Sequence, residues 1–100
     1  MNSFSVNDNK GFAITFPNGV TLSTQIGRGN YCDNYNKEND KYQTVCCNCE
    51  IAIWDSSGAW ITRQMFNDLN IDDTNDDVLG RVEINQWLEI FDWCKNWEQV

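Results

Sequence analysis

Cysteine and aspartate are the residues of this chain that could do chemistry, and their spacing limits how much. Cys46 and Cys49 have the Cys-x-x-Cys separation of half a zinc site, and Cys32 and Cys94 could complete four ligands. On an extended strand, however, positions three apart point to opposite faces, so these two thiols are not expected to grip one ion. Asp72, Asp73, Asp76 and Asp77 invite comparison with a calcium loop. With Asp72 first, Glu83 falls at position twelve, yet position six is Asp77 where the sharp turn needs Gly; with Gly80 at six, Leu79 falls at five and Gln86 at twelve. Neither register satisfies the ligand list, so no metal and no cofactor is expected. The chain contains no His, which removes the usual general base, a common zinc ligand and every Ser-His or Cys-His nucleophile pair. The paired aspartates are adjacent and hydrated, whereas acid–base catalysis needs one carboxyl desolvated. Gly27-Arg28-Gly29-Asn30 has the glycine spacing of an anion nest, but a lone Gly-x-Gly is weak evidence and a tight exit from a strand explains it better. No catalytic residue is assigned, and the protein is expected not to be an enzyme.

Charge says more about partners. Seven basic residues against fifteen acidic ones give a net charge of −8, which disfavours direct binding to nucleic acid, because phosphates need Lys and Arg to replace their condensed counterions. The expected partner is a basic protein. Surplus acid is concentrated at Asp33, Glu38 and Asp40, in a long polar stretch over 27–42, and at Asp72, Asp73, Asp76 and Asp77. The amino terminus lacks the basic and apolar regions of a secretion signal, and no apolar run approaches the roughly 20 residues that span a bilayer. A soluble intracellular protein with reduced thiols is the expectation.

The elements that would position these residues follow from periodicity. Over 45–53, Val45, Cys47, Cys49, Ile51 and Ile53 alternate with Cys46, Asn48, Glu50 and Ala52, the pattern of a half-buried strand on which the rest can assemble. Phe4 and Val6 mark a first strand, Phe12, Ile14 and Phe16 a second, and Val20, Leu22, Thr24 and Ile26 a third. A three-residue Pro17-Asn18-Gly19 loop sets Phe16 against Val20, Ile14 against Leu22 and Phe12 against Thr24, so that the apolar faces agree; a two-residue loop does not. Phe12, Ile14, Phe16, Val20, Leu22 and Ile26 are expected to share one buried face with Val45, Cys47, Cys49, Ile51 and Ile53. Asp55-Ser56-Ser57-Gly58 is a turn, with a fifth strand over 59–62 and a short helix over 63–69. The clearest helix spans 83–98, roughly 24 Å at 1.5 Å per residue. On it Ile84, Trp87, Leu88, Ile90, Phe91, Trp93, Cys94 and Trp97 cover an arc of about 220°, where a surface helix needs little more than 100°. The excess must be covered by another segment, a second copy or a partner.

The stretch FPNGVTLSTQIGRGNYCDN over 16–34, followed by CEIAIWDSSGAWIT over 49–62, resembles small acidic accessory proteins of tailed bacteriophages, which carry a strand-NG-strand unit, GNYCDN or a close variant, an aWD..G.W hairpin and a C-terminal helix. The resemblance covers about half the chain. It implies a class rather than a set of site residues: short, acidic, histidine-free phage proteins are often inhibitors of host defence or host enzymes. The expected fold is α+β, one domain over 1–100, with an antiparallel sheet of four or five strands packed on the C-terminal helix. The expected function is a phage-encoded inhibitor of the anti-CRISPR or anti-restriction type. It would act in the cytoplasm of the infected bacterial host, binding a basic, nucleic-acid-binding protein through acidic surface in the manner of a DNA mimic. The expected contact residues are Asp33, Glu38, Asp40, Asp72, Asp73, Asp76 and Asp77, with Trp93 and Trp97 as apolar anchors. The alternative is a phage structural or assembly protein that forms a homodimer or larger oligomer through its Trp-rich helix.

Overall fold

The computed structural model describes residues 3–7, 11–26, 46–72 and 77–98. The elements are β1 (Ser3–Asn7), β2 (Gly11–Thr15), β3 (Thr21–Gln25), β4 (Asn48–Trp54), α1 (Thr62–Asp68), β5 (Val78–Glu83) and α2 (Ile84–Asn96). The strands form one antiparallel sheet in the order β1-β2-β3-β4-β5, an α+β fold with α1 inserted between the last two strands.

The β2–β3 register is the expected one: Ile14 lies opposite Leu22 and Phe12 opposite Thr24. The Phe16 N–H donates to the Val20 carbonyl at 2.8 Å, closing the Pro17-Asn18-Gly19 loop, and Gly19 takes φ 87°. A second loop of the same build follows β4. The Asp55 N–H donates to the Ala59 carbonyl at 2.8 Å and Gly58 also has φ 87°. In both loops the last position is left-handed, which an L side chain resists.

The core face carries Phe16, Val20, Leu22, Cys49, Ile51 and Ile53, all buried, against Ile61, Met65 and Phe66 from the α1 region, Leu79 and Val82 from β5, and Ile90 and Cys94 from α2. The expected single face holds at its centre and frays outward: Ile14 and Ile26 are half-buried, Phe12 and Cys47 exposed, and Val45 lies outside the described residues. Ala13, Ser23 and Ala52 are buried on the other face, where they form one row across the sheet, Ala13 opposite Ser23 and Ser23 opposite Ala52; side chains this short barely rise above the backbone.

Three expectations need correcting. Residues 59–62 are not a strand: Trp60 makes a single bridge to Trp54, and α1 begins at Thr62. There the Thr62 side chain replaces a ladder partner, its Oγ1 accepting from the Ile53 N–H at 3.0 Å and donating to the Ile53 carbonyl at 3.3 Å. The fifth strand is instead Val78–Glu83. Its pairing skips a residue, with Cys49 opposite Val82 and Ile51 opposite Leu79, so Gly80 and Arg81 together face Glu50 in a bulge where Arg81 has φ 52°. Finally, β4 begins at Asn48, so Cys46 and Cys47 precede it, and the opposite-faces argument does not apply to Cys46.

α2 lies over the sheet, one flank turned to β2 and β3 and the other to α1. Trp87 donates its indole N–H to Thr24 Oγ1 at 2.8 Å; Phe91 packs edge-on to Phe16 with ring centroids 5.0 Å apart. The wide apolar arc is thus mostly used inside the fold, leaving Ile84 and Leu88 exposed.

Candidate functional site: an acidic groove rimmed by tryptophan

Between α1 and the C-terminal half of α2 runs an open groove of about 930 Å³. Local sequence explains why its two walls stand where they do. α1 ends in a Schellman turn: Asn70 adopts φ 56°, the Ile71 N–H donates to the Phe66 carbonyl at 2.8 Å and the Asn70 N–H to Asn67 at 3.4 Å. α2 is held at its C-terminus from far along the chain. The Asn18 side-chain amide donates to the carbonyls of Cys94 at 2.9 Å and Trp97 at 3.0 Å, while its Oδ1 accepts from the Val20 N–H at 3.0 Å. The Cys94 carbonyl also accepts from the Trp97 N–H at 3.4 Å, so the turn residue adds a second, shorter bond at the helix end, where carbonyls run short of donors.

Two tryptophans knit the walls together. Trp93 donates its indole N–H to Asp68 Oδ2 at 2.8 Å, and Trp97 donates to Gln64 Oε1 at 3.3 Å. Their rings lie 6.4 Å apart, both half-buried, with Trp60 exposed on the groove lining. Around them stand the carboxylates of Asp68, Glu89, Asp92 and Glu98, with Arg63 among the lining residues. Arg63 is already engaged: its Nε lies 3.7 Å from Asp77 Oδ1 in an exposed pair. The groove therefore presents anionic oxygens beside aromatic faces, which is the chemistry that receives a guanidinium or ammonium group, by charge and by cation–π contact.

Of the residues expected to meet a partner, Trp93 and Trp97 line this groove and Asp77 sits at its edge through Arg63. Asp72 is exposed. Asp33, Glu38, Asp40, Asp73 and Asp76 lie outside the described residues. Trp60, Asp68, Glu89, Asp92 and Glu98 were not singled out by sequence. Asp92 and Glu89 fall on the polar face of the last helix and look like ordinary solvated charges until α1 is placed beside them.

Asp55, also on the groove lining, belongs to the fold. Its carboxylate accepts from the Ser57 hydroxyl at 2.6 Å and from the backbone N–H groups of Ser57 at 2.9 Å and Ala59 at 3.0 Å. The Ser57 hydrogen bond and these backbone donors hold its pKa below the ordinary carboxylate value, against a smaller opposing effect of burial.

Four thiols lie among the described residues, none of them in a disulfide. Cys46, Cys47 and Cys49 line a small apolar cavity of about 240 Å³ together with Phe12, Ile84 and Trp87, and Cys94 is buried on the core side of α2, where desolvation pushes its thiol pKa up to about 12. A thiol so placed is neither a nucleophile nor a ready ligand at neutral pH. Among the described residues no group of three or more His, Cys, Asp or Glu side chains is placed to hold a metal ion. Nor is any described helix long and apolar enough to cross a membrane. Comparison of the chain with protein-family models, with curated proteins and with solved structures finds no match to any of them.

Proposed function

We propose that this protein is a protein-binding inhibitor that presents the groove between α1 and α2 to a basic site on its target. The carrying observation is the convergence of Asp68, Glu89, Asp92 and Glu98 on the exposed faces of Trp60, Trp93 and Trp97, beside an arginine already paired with Asp77. Lysine and arginine side chains that elsewhere hold phosphates are the natural occupants of such a groove, so the target is a nucleic-acid-binding protein whose site is blocked by acidic surface. The resemblance to phage accessory proteins supports placing that target in an infected bacterium, in a defence or nucleic-acid-processing system of the CRISPR or restriction kind.

The test is affinity capture from bacterial lysate with the wild-type protein and with a Glu89→Gln, Asp92→Asn, Glu98→Gln variant as baits. These three side chains are exposed, Glu89 and Asp92 on α2 and Glu98 just past its end, so the variant is expected to keep its melting temperature. The wild type should retain a basic protein and displace nucleic acid from it, and the variant should retain it poorly. A target that binds both baits equally, or one that keeps its nucleic acid while bound, would remove the groove from the mechanism.

A further inference from the structure

The two edges of the sheet are built differently. β5 carries Arg81 and Glu83, is bulged with a left-handed residue at Arg81, and runs directly into α2. Charge and bulging are devices that stop an edge from pairing with another chain. β1 has neither. Its residues Ser3–Asn7 carry no charge in a chain of net charge −8, and its pairing with β2 is unbroken from Ser3 opposite Thr15 to Asn7 opposite Gly11.

β1 also leaves large apolar groups in water. Phe4 is 81% and Val6 75% exposed, both on the face that carries the helices, since they pair with Ile14 and Phe12. From there an apolar strip continues: Phe12 meets Trp87 with ring centroids 6.4 Å apart, and beyond it Ile84 and Leu88 of α2 are 72% and 52% exposed. Among the described residues nothing covers the strip.

We propose that β1 pairs with β1 of a second copy, antiparallel across a two-fold axis, so that two five-stranded sheets join into one. Charge selects the occupant. A basic partner is drawn to the acidic groove, whereas a second copy carries the same net charge of −8 and can approach closely only where neither copy presents charge; β1 is such an edge. The strand is also self-complementary. Its apolar alternation is symmetric about Ser5, so antiparallel pairing centred there sets Phe4 against Val6 of the second copy and Val6 against Phe4, on one face, with Ser5 meeting Ser5 on the other. The backbone groups on the outer side of β1 gain partners at the same time. Specific dimers bury on the order of 1,200–2,000 Å² in total; pairing of two short strands falls short of that, and the strip running back to Ile84 and Leu88 supplies the remaining apolar surface.

The dimer does not depend on the groove, and its test separates the two. Sedimentation equilibrium over a concentration series should show a monomer–dimer equilibrium that tightens as salt rises, because screening weakens repulsion between two acidic copies. Binding of a basic partner has the opposite salt dependence. Val6→Lys, which places an ammonium against the second copy's phenylalanine, should shift the dimer midpoint upward by about tenfold or more, with the circular dichroism of the monomer unchanged because Val6 is exposed. The Glu89→Gln, Asp92→Asn, Glu98→Gln variant should dimerise at least as well as wild type. In wild-type protein, amide exchange over Ser3–Asn7 should slow as concentration rises. A wild type that stays monomeric at every concentration, or a Val6→Lys variant that dimerises with the wild-type midpoint, would overturn the proposal.

Discussion

Asn18 shows how one side chain can serve two elements. In sequence it is the middle of a turn; in the fold its amide group caps the end of α2, 76 positions away. Asn18→Ala should cost about 1–2 kcal/mol in a denaturant titration. Asn18→Asp should cost more, since it keeps the acceptor for Val20 but brings a negative charge to a helix C-terminus. A variant pair in the reverse order would deny the capping role. Asp55 makes a separate prediction, in pH. Its folded pKa is depressed, so its contribution to stability is full above the ordinary Asp value of about 3.9 and is lost as pH falls through the lower folded value. The melting temperature of Asp55→Asn should lie below that of wild type at neutral pH, and the gap should narrow as pH drops through the acid range. A gap independent of pH would mean that the charge is not what holds the turn.

At the scale of elements, what the sequence discloses is whatever local periodicity and turn chemistry state together. The β2–β3 hairpin is legible because Pro17, Asn18 and Gly19 demand one loop and the apolar alternation on both sides accepts only that loop. β5 is not, because its bulge puts the buried Leu79 and Val82 three positions apart, which breaks the period of two and leaves the strand looking like the lead-in to a helix. Residues 59–62 mislead in the other direction: Trp60 and Ile61 have strand composition, but Thr62 satisfies Ile53 with its side chain and the backbone turns into α1. The two left-handed loops allow a comparison within one molecule. A Cβ at Gly19 would lie 2.6 Å from the Ser56 Cβ, whereas one at Gly58 meets nothing within 4 Å, and both have φ 87°. Gly58→Ala should cost about 1 kcal/mol for conformation alone. Gly19→Ala should cost more by the collision with Ser56, and Gly19→Val more again; equal melting temperatures for the two Ala variants would show that Ser56 yields freely.

At the scale of the whole molecule, the fold brings four carboxylates that the sequence scatters over 68–98, those of Asp68, Glu89, Asp92 and Glu98, to one groove. Net charge is visible in composition, but the groove is not, because its walls come from residues on either side of 60 and of 90 and meet only when α2 is pinned at one end by Asn18 and at its flank by Trp93 and Asp68. The anomalously wide apolar arc of α2 was the visible trace of that arrangement: one flank serves β2 and β3, the other serves α1. Exposed charges are screened beyond about 8 Å at 0.15 M salt, so they act chiefly on encounter, while desolvated aromatic contacts act on residence time. The most direct measurement is therefore the association and dissociation rate constants of the captured target across a salt series, for wild type, the Glu89→Gln, Asp92→Asn, Glu98→Gln variant, and Trp60→Ala. Wild-type association should slow steeply with salt, the acid-neutralised variant should associate slowly and with little salt dependence, and Trp60→Ala should associate normally and dissociate faster. Salt-independent association of the wild type, at the same rate as the neutralised variant, would contradict a groove that works by charge.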